Sequence, residues 1–140
     1  MNLSINLKEL RNSFDSYKKN IEEMNYDEIT FLYIGDYYDG MLEGMLEYQS
    51  NKYRFEIITD YKKISNPRIF AIIILTEEEI KDEEYWNGQF DKYVGNHNNL
   101  TTTEDNILKP SSEHHLFYDE YNKRQKNKYE YNIVKGWYIE

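Results

Sequence analysis

The chain has 140 residues, of which 17 are basic and 26 acidic, giving a formal charge of −9. It has no cysteine, which excludes disulfides, thiolate nucleophiles and cysteine-rich zinc sites. The negative charge argues against general nucleic-acid binding, which needs lysines and arginines to displace counterions. The longest apolar run, Ile69 to Leu75, is too short to span a bilayer.

The N-terminal stretch Met1-Asn2-Leu3-Ser4-Ile5 lacks the basic start and long apolar segment of a secretion signal, so a cytoplasmic protein is expected. No proline-rich or glycine/serine-rich linker and no internal repeat divides the chain, so residues 1–140 read as one compact domain. Leu3, Leu7, Leu10, Phe14, Tyr17, Ile21 and Met24 recur at alternating spacings of four and three, which predicts one amphipathic helix of about five turns. Ser4 or Asn6 is positioned to cap it.

From Glu28 the period changes. Ile29 to Ile34 is rich in β-branched and aromatic residues, and Gly35-Asp36-Tyr37-Tyr38-Asp39-Gly40 follows as a turn or bulge. Met41–Tyr48 and Tyr53–Asp60 read as two strands of a hairpin around Gln49-Ser50-Asn51-Lys52. In the second strand Tyr53, Phe55 and Ile57 share one face, and Arg54, Glu56 and Ile58 take the other. After the break at Ser65-Asn66-Pro67, the stretch Arg68–Leu75 is apolar on both faces, as in a central strand covered on both sides.

Thr76 starts a helix with Glu79 in capping-box position, running to Val94 and ending at Gly95. Asn96–Pro110 is polar and unpatterned and reads as a loop. Ser111 or Ser112 caps a further helix to about Gln125, with Phe117 and Tyr121 as its apolar seam, and Tyr129–Tyr138 alternates as a closing strand. The expected class is α+β: an N-terminal amphipathic helix, an antiparallel sheet of about 4–5 strands, two later helices on the sheet and a C-terminal strand.

The charge is unevenly placed. Residues 76–122 carry 3 basic and 12 acidic groups, so this segment alone sums to −9 and the rest of the chain to zero. Within it, Glu77-Glu78-Glu79-Ile80-Lys81-Asp82-Glu83-Glu84 holds six carboxylates in eight residues. Only Ile80 is required in the core, so several carboxylates are expected to project together into solvent. Such a patch steers association with a basic partner, although first-turn acids also serve the helix dipole and solubility. The basic run Lys123-Arg124-Gln125-Lys126-Asn127-Lys128 suits a helix end and could also meet the acidic cluster within the chain.

Other chemistry is sparse. Asp36 and Asp39 flank a tyrosine pair, and His97, His114 and His115 are the only concentration of imidazoles. Adjacent histidines on a helix point about 100° apart and do not share an ion, whereas His115 and Asp119 sit four apart on one side. A small metal-dependent or ligand-binding enzyme domain near Asp36, Asp39, His97 and His115 is therefore the alternative expectation. Neither a phosphate-binding glycine loop nor a nucleophile elbow is present. The 15 tyrosines accompany 15 Asn, 15 Ile, 13 Lys against 4 Arg and a single Ala, a profile that a genome poor in G and C writes by default. Several nonetheless cluster around the hairpin, which offers a second contact surface and admits a homodimer.

In composition the chain looks like the small, acidic, cysteine-free bacterial or phage proteins that neutralise another protein, such as immunity and anti-CRISPR proteins. The leading expectation is a non-enzymatic inhibitor without metal or cofactor, contacting neither nucleic acid nor membrane. It would occlude the nucleic-acid-binding surface of a basic protein target, a nuclease toxin or a nucleic-acid-guided defence enzyme. Glu77, Glu78, Asp82, Glu83 and Glu84 would mimic phosphates, and Tyr37, Tyr38 and Trp86 would be aromatic anchors.

Overall fold

A computed structural model describes residues 4–37, 40–59, 67–94, 111–124 and 128–140. The side chains of Asp36, Tyr37 and residues 111–113 lie outside that description, as do Tyr38, Asp39 and the stretch 95–110. The fold is α+β, with one mixed sheet and four helices among the described residues. The strands are β1 (Glu22–Glu23), β2 (Thr30–Tyr37), β3 (Met41–Tyr48), β4 (Asn51–Ile57), β5 (Ile69–Ile73) and β6 (Val134–Ile139), ordered β1-β6-β5-β4-β3-β2. All neighbours are antiparallel except β1, which runs parallel to β6 and raises the strand count to six. The helices are α1 (Leu7–Asn12), α2 (Phe14–Tyr17), α3 (Glu77–Tyr93) and α4 (Ser111–Tyr121).

The sheet is strongly curled. Phe31 on β2 and Tyr138 on β6 are four strand intervals apart, about 19 Å in a flat sheet, yet their ring centroids lie 6.3 Å apart. Across the same concavity the Tyr48 hydroxyl at the end of β3 donates to Glu22 Oε2 on β1 at 3.1 Å. The concave face therefore encloses a core of its own, with Leu46, Phe55, Phe70, Ile72 and Tyr138 fully or almost fully buried. The helices pack on the convex face over a second core that includes Leu7, Leu10, Met45, Ala71 and Ile73.

The alternation in the sequence sorts side chains between these cores. On β5, Phe70 and Ile72 enter the concave core and Ala71 and Ile73 the convex one, and all five strand residues are buried. On β4, Phe55 and Ile57 face the concavity, leaving Arg54 on the helix side. Gly44 leaves no room for a side chain between β2 and β4: a Cβ there would stand 2.1 Å from the Tyr33 carbonyl oxygen and 2.9 Å from the Phe55 ring. The β3–β4 turn is tighter than its composition suggests. Only Gln49 and Ser50 form it, with φ of 49° and 67°, left-handed values that non-glycine residues adopt at a cost.

The N-terminal helix departs from expectation. The spacing predicts five continuous turns to Met24, but α1 ends at Asn12, Ser13 adopts a non-helical φ of −143°, and α2 passes into a 3-10 turn, Lys18–Asn20, before β1. Asn12, Ser13 and Asn20 are weak helix formers whose side chains compete for the backbone, and Glu22–Glu23 gain strand pairing with β6. Leu7, Leu10, Phe14, Tyr17 and Ile21 still meet one core, whereas Met24 crosses to the concave side. The helix after Ser111 closes at Tyr121 rather than Gln125, and the last strand begins at Val134 rather than Tyr129.

Candidate functional site

The acidic segment begins as its sequence dictates. The Thr76 hydroxyl oxygen accepts from Glu79 N at 3.1 Å and the Glu79 carboxylate accepts from Thr76 N at 2.9 Å, closing the capping box of α3. At about 100° per residue, Glu77, Glu78, Lys81, Glu84, Tyr85 and Gly88 fall on one side of this helix, and all six are exposed. The opposite side carries Ile80, Glu83 and Val94 toward the protein.

Five of the six carboxylates thereby divide into three groups, and Glu83 stands apart from them. Glu79 is held in the cap and accepts from Asn132 Nδ2 at 3.1 Å. Asp82 pairs with Lys128 at 2.7 Å and Arg124 at 3.5 Å, and Glu84 pairs with Lys52 at 2.9 Å. These contacts realise the intramolecular meeting of the C-terminal basic run with the acidic cluster. Glu77 and Glu78 are exposed and have no cationic partner among the described residues.

Glu83 overturns the expectation placed on it. It is 5% exposed, not projected into solvent. Its Oε2 lies 3.4 Å from Arg54 Nη1, and its Oε1 accepts from Arg124 Nη2 at 3.1 Å and from the Tyr129 phenol. Beside its apolar residues the inward side of the helix thus turns a charged residue to the sheet, and the sheet answers with Arg54. That arginine, itself 7% exposed, also donates to Glu43 Oε2 at 2.7 Å and stacks on the Tyr129 ring at 4.8 Å. Its Nε stands 3.5 Å from Glu56 Oε2 without hydrogen-bonding geometry.

Burial by itself would lower the Arg54 pKa, but Glu43, Glu83 and Glu56 outweigh it and raise the value, so the guanidinium stays charged. Burial, then Glu83, pushes the Tyr129 and Tyr33 phenols up, so both remain neutral and Tyr129 donates to Glu83. This network of oppositely charged, mutually hydrogen-bonded groups clamps α3 to β3 and β4.

Trp86 is half-buried and packs against α4. Its ring makes edge contacts with Phe117 and Tyr121 on α4 at 6.1 and 5.5 Å, and the Arg124 guanidinium lies 5.5 Å from it. A small cavity of about 20 Å³, lined by Tyr33, Glu43, Glu83, Trp86, Phe117 and Tyr121 among others, lies beside the network. It has room for about one water, and the Tyr33 hydroxyl, buried and without a hydrogen-bond partner, is the group that such a water would serve.

The alternative site is not assembled by the described residues. Asp36 and Tyr37 lie on β2 with side chains outside the description, and Tyr38, Asp39 and His97 lie outside it altogether. His115 is exposed on α4. Among the described residues no three His, Asp or Glu side chains converge to hold a metal, and no helix is long and apolar enough to cross a membrane. Of the groups central to the clamp, the sequence places Arg54 only on the face of its strand opposite Phe55, and Tyr129 only at the start of the closing strand.

No family model, curated protein or solved structure matches the chain.

Proposed function

We propose that the protein is a non-enzymatic acidic binding protein of the cytoplasm that inhibits a basic protein target by occluding its nucleic-acid-binding surface. A nuclease toxin or a nucleic-acid-guided defence enzyme is the class of target that such a surface fits. The observation that carries this reading is the outward side of α3, where Glu77 and Glu78 stand exposed without a cation among the described residues and Glu84 and Tyr85 extend the same side. Carboxylates so presented attract lysines and arginines that otherwise meet phosphates, giving fast, salt-sensitive association. The clamp behind them supports the reading as well: with Glu83 locked to Arg54 and Arg124, the helix is held at a fixed aspect to its partner.

Charge reversal tests it. The immobilised chain should retain a basic nucleic-acid-binding protein from nuclease-treated host lysate, released as salt is raised. The triple variant Glu77→Lys/Glu78→Lys/Glu84→Lys, with an unchanged melting profile, should retain none of it. Retention equal to that of the parent chain would overturn the proposal.

A further inference from the structure

Most exposed apolar side chains are scattered. Tyr85 stands alone on the outward side of α3, and Ile139 lies at the far end of β6. Three others are gathered at one end of the molecule: Ile74 is 43% exposed, Ile133 38% and Tyr131 73%. Ile74 N donates to Ile133 O at 2.9 Å, so these two residues lie side by side on adjoining strands just past β5 and before β6. Tyr131 is two residues before Ile133; the Lys8 ammonium lies 5.7 Å from its ring centroid and engages part of the ring, while the side chain as a whole stays open to solvent.

This apolar group is joined to the acidic turn. Asn132 Nδ2 donates to Ile74 O and to Glu79 Oε1, both at 3.1 Å, tying the segment that carries Tyr131 and Ile133 to the start of α3. Glu77 and Glu78, exposed in the first turn of α3, follow Ile74 by three and four residues, so the chain keeps them within about 14 Å of it. An apolar centre with a charged margin is the anatomy of a protein interface.

Resting on the reading above, we infer that Ile74, Ile133 and Tyr131, with Glu77 and Glu78 at their margin, form the surface that receives the basic protein, which presents an apolar side chain bordered by lysine or arginine. Two considerations select that occupant. A stable interface buries about 800 Å² on each partner, more than three half-exposed side chains provide, so the contact must extend over the neighbouring carboxylates. A second copy of this chain would bring a further charge of −9 and set like carboxylates against each other. The aromatic anchor thus moves from Trp86, which is packed inward, to Tyr131.

The test uses the full chain and, as probe, the basic protein it retains from nuclease-treated lysate and releases with salt, purified for titration. Three variants are compared by dissociation constant: Ile74→Ser/Ile133→Ser/Tyr131→Ser, the charge reversal Glu77→Lys/Glu78→Lys, and Ile139→Ser as an exposed control. All alter exposed side chains, and thermal melts verify that each folds. The inference expects the first two to weaken binding at least tenfold and the control to leave it unchanged. If charge reversal weakens binding and the serine triple does not, the inference falls while the proposed function stands. If neither weakens it, both fall. A parent chain that sediments as a dimer and becomes monomeric in the serine triple gives the surface to a second copy and overturns the inference.

Discussion

Replacing Glu83 by alanine isolates the contribution of the clamp. The substitution removes an anion that is 5% exposed and serves Arg54, Arg124 and Tyr129 at once. Arg54 keeps Glu43 at 2.7 Å and Arg124 keeps Asp82 at 3.5 Å, so neither cation is abandoned, but the Tyr129 phenol loses its acceptor in a buried position. Removing one member of a buried ion pair costs about 3–5 kcal/mol because the remaining charge is left partly uncompensated. Against a total stability of about 5–15 kcal/mol for a domain, that is a large fraction. In urea, with a slope of about 2 kcal/mol per molar, the midpoint should fall by roughly 2 M.

Glu77→Ala, on the exposed side of the same helix, should stay within about 0.5 kcal/mol of the parent. Apolar replacement of a buried ion pair is often neutral or stabilising, so Arg54→Met/Glu83→Leu should lose much less than the sum of its single variants. The reasoning is refuted if Glu83→Ala unfolds within about 1 kcal/mol of the parent, which is how a solvent-facing carboxylate would behave.

Other substitutions follow from local geometry. A Cβ at Gly88 meets nothing within 4 Å, whereas one at Gly44 stands 2.1 Å from a backbone oxygen; Gly88→Ala should therefore stabilise by about 0.5–1 kcal/mol in urea unfolding, and Gly44→Ala should destabilise by more than that. Ser50→Gly relieves a φ of 67° in the β3–β4 turn and should raise the unfolding free energy by about 1 kcal/mol; no gain would mean that the turn is not strained. Burial raises the Asp91 carboxyl above its ordinary 3.8, so folding disfavours its charged form. That cost is absent below the unfolded pKa, grows as pH rises between the unfolded and folded values, and is complete above both. Asp91→Asn should therefore be more stable than the parent at neutral pH, with the difference vanishing below pH 3.8; a gain that persists in acid would contradict the assignment.

The strands were legible because burial on two faces leaves a simple alternation. Ile69–Ile73 read as a doubly covered strand, and Phe55 and Arg54 as opposite faces of β4, since a period of two assigns faces without knowledge of the partners. The capping box at Thr76 and Glu79 is equally local. The N-terminal helix misled because spacings of four and three report which side chains meet a core, and Leu7, Leu10, Phe14, Tyr17 and Ile21 reach that core from two short helices and the bend before β1. The curl of the sheet was invisible, since it arises from contacts such as Phe31 with Tyr138 between residues 107 positions apart. For the candidate site, residue type indicated where charge lies but not which carboxylates are internally paired. Glu83 and Glu78 are alike in sequence, and only the placement of Arg54, Arg124 and Tyr129 separates them.

The central claim is occlusion, and it is tested most directly on a preformed complex of the basic partner with fluorescent duplex DNA. Added protein should displace the duplex at one equivalent per partner, returning the fluorescence anisotropy to that of free DNA, while Glu77→Lys/Glu78→Lys/Glu84→Lys should displace none. A ternary complex, in which partner, duplex and protein remain together and the anisotropy does not fall, would contradict the account.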